Sequence, residues 1–312
     1  MRFPALVLGA AALSLSVWLP ACDRAAQDGR GQEGKTHAGR DRGMDAAFRE
    51  DLAALGRSRI LFAHQSVGQN ILDGLASLLQ EEEREEVKEK AQGKDARRLR
   101  IVRWNGTPPD SGAVLVHAYV GENGKPGSKC GALESILART PPPGYDVALL
   151  KFCFIDFGKD TDVDALFETY RKTLAGLKEK YPGTVFVHAT VPLTAVSAKD
   201  RLTAPLKLLL GRPHPEAGNI RRNLYNRKLP AAFPGEPILD IAGLESMNPD
   251  GSRAAFKAGG ETYFNLAAAY TSDGGHLNAA GSRRLAREFV RVLADASRRA
   301  QARKPAPGAE KE

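Results

Sequence analysis

The chain has 312 residues with an apolar fraction of 42%, which is enough for one large domain or two small ones. The formal net charge is +8, but acidic residues are interleaved with the basic ones and no RNA- or DNA-binding signature is present. We therefore expect no nucleic-acid partner, whereas an anionic surface or polymer remains compatible with the charge.

The N-terminus has the features of a bacterial export signal. Arg2 supplies a positive charge, and Phe3 to Leu19 is apolar and rich in alanine. The segment Leu19-Pro-Ala-Cys22 then looks like a lipobox, in which Cys22 is lipidated and becomes the new N-terminus. We expect residues 1–22 to be this signal, and the protein to be exported and held at a membrane of the cell envelope by the lipid. If the signal is only cleaved, the protein is secreted or periplasmic.

A nucleophile candidate follows the first predicted strand. Ile60-Leu-Phe62 is a short apolar run typical of a buried parallel strand, and helically spaced apolar residues begin at Val67. Ser66 lies between the two, at the strand end where open α/β sheets bind ligands. The N-terminus of a helix favours negative charge, which suits a serine whose attack generates an oxyanion. The alternative is that Ser66 is only the N-cap of the helix.

Strands and helices alternate along the rest of the chain. Further strands are predicted at 99–104, 145–154, 184–189 and 237–241, and helices at 46–55, 162–181, 220–229 and 279–300. This order predicts a parallel, doubly wound sheet in a single domain, residues 45–300. Residues 23–44 contain almost nothing apolar and are predicted to be a disordered tether, and residues 301–312 a disordered tail. Asn105 to Lys129, rich in Gly, Pro and Asn, is predicted to be a long functional loop.

A second chemical signal precedes the last helix, in Ser272-Asp-Gly-Gly-His-Leu-Asn278. In a turn, the spacing of Asp273 and His276 can bring the carboxylate against one ring nitrogen of the imidazole. The carboxylate then fixes the tautomer and leaves the other nitrogen free to take a proton. The alternative is a polar loop that caps the helix.

Together these segments resemble the SGNH/GDSL hydrolase superfamily, whose nucleophilic serine follows the first strand and whose Asp-x-x-His precedes the C-terminal helix. The resemblance covers most of residues 58–296. It implies a three-layer α/β/α sandwich with about five parallel strands, of the flavodoxin-like type. It also implies that Ser66 is the nucleophile, His276 the base and Asp273 the residue that orients the base.

Two departures concern the family's conserved blocks. His64-Gln-Ser66 replaces Gly-Asp-Ser, and Cys153-Phe-Ile-Asp156 replaces Gly-x-Asn-Asp, so that Ile155 stands where the family has an oxyanion-binding asparagine. A missing donor costs about 2.7–4 kcal/mol of transition-state stabilisation. The predicted replacements are the backbone N–H of Gly121, as in the family's second block, and the side-chain amide of Asn123. Alternatively, Asn123 is only the turn residue of an Asn-Gly pair.

Other polar residues give less specific signals. His64 either lines the site or forms a hydrogen bond within its turn, and Asp156 either contacts substrate or caps a helix. Cys130 and Cys153 could pair in an oxidising compartment, although Cys153 also suits a small core residue. No metal-ligand spacing or nucleotide-binding glycine pattern occurs, so we expect no metal and no cofactor.

Three functions fit these features. The first is a serine esterase acting on ester groups, in particular O-acetyl groups of envelope or extracellular glycans. The second is an O-acyltransferase that uses the same triad with a sugar hydroxyl in place of water. The third is a non-catalytic envelope lipoprotein on the same fold, which the Ile155 departure favours and the presence of Ser66, Asp273 and His276 together opposes.

Overall fold

The structure is a computed structural model that describes residues 36–89, 99–110, 112–197, 202, 209–210, 214 and 216–304. The predicted signal peptide, its lipidation site Cys22 and most of the predicted tether and tail lie outside the described residues. The chain divides into two units, Met1–Gly43 and Met44–Glu312, and the second contains the sheet and the candidate site.

The described residues form seven α-helices and eight strands. The helices are α1 (Thr36–Leu55), α2 (Ser66–Glu89), α3 (Pro126–Arg139), α4 (Val163–Lys180), α5 (Ala217–Ala232), α6 (Ile241–Glu245) and α7 (Ala279–Ala302). The strands are β1 (Arg59–His64), β2 (Ile101–Arg103), β3 (Val114–Tyr119), β4 (Val147–Leu150), β5 (Val185–Ala189), β6 (Ile238–Leu239), β7 (Ala255–Ala258) and β8 (Glu261–Phe264).

Six strands form one parallel sheet in the order β2-β3-β1-β4-β5-β6. The remaining two, β7 and β8, pair with each other as an antiparallel hairpin. In the main sheet, β1 is an inner strand: β3 and then the edge strand β2 lie on one side of it, and β4, β5 and β6 follow in order on the other. The predicted parallel, doubly wound α/β fold is therefore confirmed, with six strands rather than about five. Such sheets bind ligands where the winding direction changes, at the carboxyl ends of the central strands.

Alternate residues of the central strands face two different helical layers. Ile60 and Phe62 belong to a core cluster with residues of α2 and α7, whereas Leu61 and Ala63 belong to a cluster with residues of α3, α4 and α5. Because both faces of a parallel sheet are covered, its strands are apolar throughout rather than alternating. This explains why the apolar runs, rather than any two-residue period, predicted β1, β4 and β5.

The predicted loop from Asn105 to Lys129 is wrong in part. It contains β3, which pairs with β1 over six residues, and the first residues of α3. The glycines and prolines that suggested a loop lie around β3 rather than in it, and Pro126 occupies the first turn of α3, where a missing N–H has no cost. Helix α1 begins at Thr36, ahead of the predicted 46, and the β7–β8 hairpin was not predicted.

Helices α2 and α7 lie side by side on one face of the sheet, in close contact. A Cβ atom on Gly74 of α2 would lie 2.2 Å from the carbonyl oxygen of Ser282 in α7, so only glycine permits this approach. Among the residues described, no helix combines the length and the hydropathy required to cross a bilayer.

Candidate active site

The site forms where β1 enters α2 and where the loop before α7 reaches across to it. Ser66 is the first residue of α2 and follows β1 after a single intervening residue. The loop is attached to the same helix, because the backbone N–H of Leu277 donates to Oδ1 of Asn70 at 3.2 Å. The close packing of α2 and α7 therefore brings together segments that are 210 residues apart in sequence.

Ser66, His276 and Asp273 form a continuous hydrogen-bonded chain. Oγ of Ser66 lies 3.0 Å from Nε2 of His276, and Nδ1 of His276 lies 2.7 Å from Oδ2 of Asp273. With Nδ1 carrying the proton toward the carboxylate, Nε2 is left as the acceptor for the serine hydroxyl. Both distances are within the range that proton transfer by a general base requires. The three residues predicted from the sequence are thus joined by hydrogen bonds, with His276 between Ser66 and Asp273.

The turn around Asp273 holds the carboxylate through the backbone. Its Oδ1 accepts hydrogen bonds from the N–H groups of Gly275 and His276, both at 2.8 Å. These two bonds, together with the bond from the His276 side chain, hold the pKa of Asp273 well below its ordinary value. The group is therefore an anion throughout the neutral range. Gly274, which lies between Asp273 and Gly275, has a φ of +87°, a conformation that favours glycine.

Phe154, just after β4, forms one wall beside the imidazole. Its ring meets the ring of His276 edge-on, with 5.6 Å between the centroids. Gly275 lies against the same ring, since a Cβ atom there would be 2.9 Å from Cζ of Phe154. The two glycines of the Asp-Gly-Gly-His run thus have different roles: the first permits the turn, and the second permits contact with Phe154.

The reacting groups are open to solvent. The side chains of His276 and Asp273 are 43% and 57% exposed, and Ser66 is half-buried. Ile155, at the position of the family's asparagine, is 54% exposed and carries no hydrogen-bonding side chain. Water and a large substrate can both reach the serine.

The predicted oxyanion residues lie in the turn after β3, which is tied to the residue preceding the nucleophile. Nε2 of Gln65 donates to the carbonyl oxygens of Val120 at 2.7 Å and of Gly121 at 3.1 Å. Gly121 has a φ of +58°. The side chain of Asn123 accepts a hydrogen bond through Oδ1 from Nζ of Lys129 at 3.1 Å, which directs its NH₂ group elsewhere.

Asp156 is buried, and its carboxylate takes part in the capping box of a short 3₁₀ helix, which agrees with the helix-capping alternative of its prediction. It forms a buried ion pair with Lys129, with 2.5 Å between Nζ and Oδ2. The same oxygen accepts the backbone N–H of Cys153, at the start of the short 3₁₀ turn Phe154–Asp156. Lys129 was not predicted as a site residue, because nothing in the neighbouring sequence distinguishes it from a surface lysine.

His64 is fully buried, and its ring makes the local hydrogen bond that was one of its two predicted roles. Nδ1 lies 2.8 Å from the carbonyl oxygen of Gln65, so Nδ1 carries the proton and Nε2 accepts from Nδ1 of His117 at 3.1 Å. Burial is the main reason that the pKa of His64 is lowered to about 3. His64 is therefore a neutral structural group at physiological pH. Its ring also fills the space beside Gly68, where any Cβ would overlap it.

Two more ionisable groups are buried near the strand ends. Burial lowers the pKa of the Lys151 amine to about 8 and raises the pKa of the Glu245 carboxyl to about 8. Nζ of Lys151 has no hydrogen-bond partner, whereas Glu245 accepts the N–H of Leu193. We refer to His64, Lys129, Lys151, Asp156 and Glu245 as the inner polar cluster.

The two cysteines of the domain, Cys130 and Cys153, are both buried and unpaired. The predicted alternative of a disulfide between them is thus wrong, and Cys153 is a core residue. Within the described part of the chain, no group of three or more His, Cys, Asp or Glu side chains is arranged to hold a metal ion.

Comparison with known proteins gives matches only among solved structures. No family model and no curated protein matches the chain. One similar structure is described as a GDSL-like lipase from Parabacteroides merdae: it is 15% identical, with a TM-score of 0.40, over 75% of this chain and 94% of that one. The periplasmic domain of a lipopolysaccharide acetyltransferase from Salmonella ser. Paratyphi A is 12% identical, with a TM-score of 0.40, over 83% and 98%.

A peptidoglycan O-acetylesterase is also similar, at 12% identity and a TM-score of 0.37, over 60% of this chain and 48% of that one. At such identities and TM-scores the matches carry no argument about this chain. The fold itself rests on the strand order and the two helical layers described above.

Proposed function

We propose that this protein is a serine ester hydrolase with Ser66 as nucleophile, His276 as general base and Asp273 as its orienting carboxylate. The observation that carries the proposal is the unbroken chain of hydrogen bonds from the serine hydroxyl to the carboxylate. If Ser66 only capped α2 and the loop of Asp273 and His276 only capped α7, nothing would require the hydroxyl, the imidazole and the carboxylate to be hydrogen-bonded in sequence. The ionised state of Asp273 supports the same roles, because an anion stabilises the imidazolium that forms during attack.

The reaction follows from these positions. Oγ of Ser66 attacks the ester carbonyl carbon while Nε2 of His276 takes the hydroxyl proton, giving a tetrahedral oxyanion. When the C–O bond to the alcohol breaks, His276 returns the proton to the leaving oxygen and an acyl-serine remains. Water then attacks the acyl-serine by the same route, with His276 as base, and releases the acid and free Ser66. The exposure of His276 gives water access for this second half.

Donors from the turn after β3 complete the proposed mechanism. We assign stabilisation of the oxyanion to the backbone N–H of Gly121 and the side-chain NH₂ of Asn123, which Lys129 leaves free to donate. The position of Ser66 at the N-terminus of α2 adds the positive end of the helix dipole. Because Ile155 offers no donor, these groups supply what the family's asparagine would provide.

The proposed substrates are O-acetyl esters on envelope or extracellular glycans. The half-exposed triad suits an ester that is attached to a bulky polymer, because such a group cannot enter a closed cavity. The expected export and lipid attachment at Cys22 would place the enzyme among such polymers.

Hydrolysis of a chromogenic acetyl ester by the domain tests the reaction class. We expect turnover that Ser66→Ala abolishes to the level of the uncatalysed reaction. Wild-type turnover no faster than that of Ser66→Ala would refute the proposal and favour a non-catalytic protein. Product analysis with an added acceptor glycan separates hydrolysis from acyl transfer: free acetate is expected, and acetylated acceptor as the main product would assign a transferase instead.

A further inference from the structure

We propose that the buried pair Lys129–Asp156 is a positioning device that holds the turn Gly121–Gly124, here called the oxyanion turn, in the conformation that catalysis requires. The inference rests on the proposed function and deepens it. It assigns a role to two residues that do not touch the triad. Their effect on the reaction is exerted through the turn backbone and the Asn123 side chain that they hold.

Each member of the pair binds the oxyanion turn directly. Oδ1 of Asp156 accepts the backbone N–H of Gly124 at 2.9 Å, and Nζ of Lys129 donates to Oδ1 of Asn123 at 3.1 Å. Through Oδ2, Asp156 also binds the N–H of Cys153, at the end of the segment that follows β4. The pair therefore connects the turn after β3 to the segment after β4, one on each side of the strand that delivers the nucleophile.

Gly121 packs on Lys129 itself. A Cβ atom on Gly121 would lie 2.7 Å from both Cγ and the backbone nitrogen of Lys129, and 2.6 Å from Oγ of Ser128. The backbone of Gly121 thus rests on the lysine stem, and its φ of +58° suits glycine. A change at the lysine is transmitted to the very N–H that the mechanism uses.

The electrostatics also single out this pair. Both side chains are completely buried, so the loss of one partner leaves an uncompensated charge that has no water to solvate it. Lys125, the residue that follows this turn, forms a second ion pair with Glu122, in which the side chains are 69% and 67% exposed. Exposed pairs contribute little to stability or geometry. The two lysines, four residues apart, therefore provide a matched comparison.

The test compares Lys129→Met with the control Lys125→Met on the chromogenic ester. We expect Lys129→Met to lower kcat by about 10- to 100-fold, since a displacement of about 1 Å in a catalytic group has that effect. KM should change by less than about threefold, because substrate binding in the ground state makes little use of the oxyanion donors. The affinity for a boronic acid, which forms a tetrahedral adduct with the serine, should fall in parallel with kcat/KM. Lys125→Met should match the wild type.

The pH profile and a second variant separate positioning from general damage. The acidic limb of the kcat/KM profile should be unchanged in Lys129→Met, because the Ser66–His276–Asp273 chain is untouched. The double variant Lys129→Met with Asp156→Asn leaves no buried charge behind, and it should fold while retaining the low kcat. If either variant is folded at the assay temperature and keeps kcat within about threefold of wild type, the positioning role is refuted.

Hydrogen exchange gives a readout that does not depend on activity. In Lys129→Met, the amides of the oxyanion turn should exchange faster than in the wild type, with the exchange of β1 and α7 unchanged. Unchanged exchange in the turn would refute the positioning role even if kcat fell. If wild type shows no Ser66-dependent hydrolysis, the proposed function fails on its own. Faster exchange in the turn would then still support the structural half of the inference.

Discussion

The triad and the inner polar cluster are neighbours that differ in almost every physical respect. His276 and Asp273 are about half exposed and are oriented by a glycine-rich turn, whereas Lys129 and Lys151 are completely buried on the ends of regular elements. Several buried groups have pKa values shifted by loss of solvent, yet the mechanism uses none of them as acid or base. Strongly shifted pKa values are often used to locate reacting groups. In this protein the shifted pKa values of His64, Lys151 and Glu245 come from burial, whereas the lowered pKa of Asp273 comes from its hydrogen bonds.

The difference follows from what each region does. A base that takes and returns a proton while water attacks must be reachable by solvent, so its orientation must come from hydrogen bonds rather than from burial. Asp273, which orients this base, is itself held by two backbone N–H donors and is exposed to solvent. The members of the inner cluster are buried, and their hydrogen bonds hold the backbone around the strand ends.

The largest effect on kcat is expected from substitutions in the exposed triad. His276→Ala should lower kcat on an acetyl ester by a factor on the order of 10⁴–10⁶, because no other basic side chain among the described residues is hydrogen-bonded to Ser66. Asp273→Asn should cost less, on the order of 10²–10⁴, because water can reach and partly replace an exposed partner of the imidazole. A steady-state comparison of the two variants checks this order. Equal losses would mean that Asp273 is as indispensable as a buried triad carboxylate.

A smaller effect, on the free energy of unfolding, is expected from a substitution in the inner polar cluster. Lys151→Met removes an amine that has no hydrogen-bond partner and replaces it with an apolar chain of similar length. We expect the free energy of unfolding at pH 7 to rise by about 1–3 kcal/mol, the usual cost of an unsatisfied buried polar group. Urea unfolding monitored by circular dichroism measures the change.

The pH dependence of this gain has a definite sign. The pKa of Lys151 is about 8 in the folded chain against 10.5 as its ordinary value, so between these two pH values the unfolded chain holds more protons. Wild-type stability therefore gains from this group as pH rises through that window. The advantage of Lys151→Met should be smaller at about pH 9.5 than at pH 7. A gain that grows with pH would show that the amine has a partner in solution.

The smallest effect is expected in the chemical labelling of the two buried cysteines. Cys130 and Cys153 are unpaired and almost free of solvent exposure, and burial raises the pKa of the Cys130 thiol to about 11. A thiol reagent should leave both unlabelled in the folded protein and label both in denaturant, as read by peptide mass spectrometry. A reductant should not change the unfolding midpoint. Rapid labelling of Cys153 would show that solvent reaches the segment beside Asp156.

The residues of the candidate triad could be predicted from the sequence because each lies in a short segment with a recognisable pattern. Ser66 stands where a strand feeds a helix, and Asp273 and His276 lie within one turn, so each could be read from a few neighbouring residues. That the two pieces meet follows from the fold, because both end at the same edge of a parallel sheet. The strand β3 was missed because its six residues, of which five are buried or partly buried, are flanked by glycine- and proline-rich turns that suggest a loop.

The inner polar cluster could not be predicted in this way. Lys129 and Lys151 have no sequence signature that distinguishes them from surface lysines, and a lysine is expected to be exposed. Their burial depends on partners far along the chain, such as Asp156 for Lys129. The oxyanion assignments to Gly121 and Asn123 remain predictions, although the contacts of both with Lys129 now give a way to test them.

The glycine contact between α2 and α7 has a consequence for how this protein is made. Ser66 lies in the first quarter of the chain and His276 in the last, and the docking of α7 against Gly74 helps to bring them together. A chain that is still being synthesised therefore lacks the hydrogen-bonded chain from Ser66 to Asp273. Under the proposed function, ester cleavage would begin only after the whole domain has assembled.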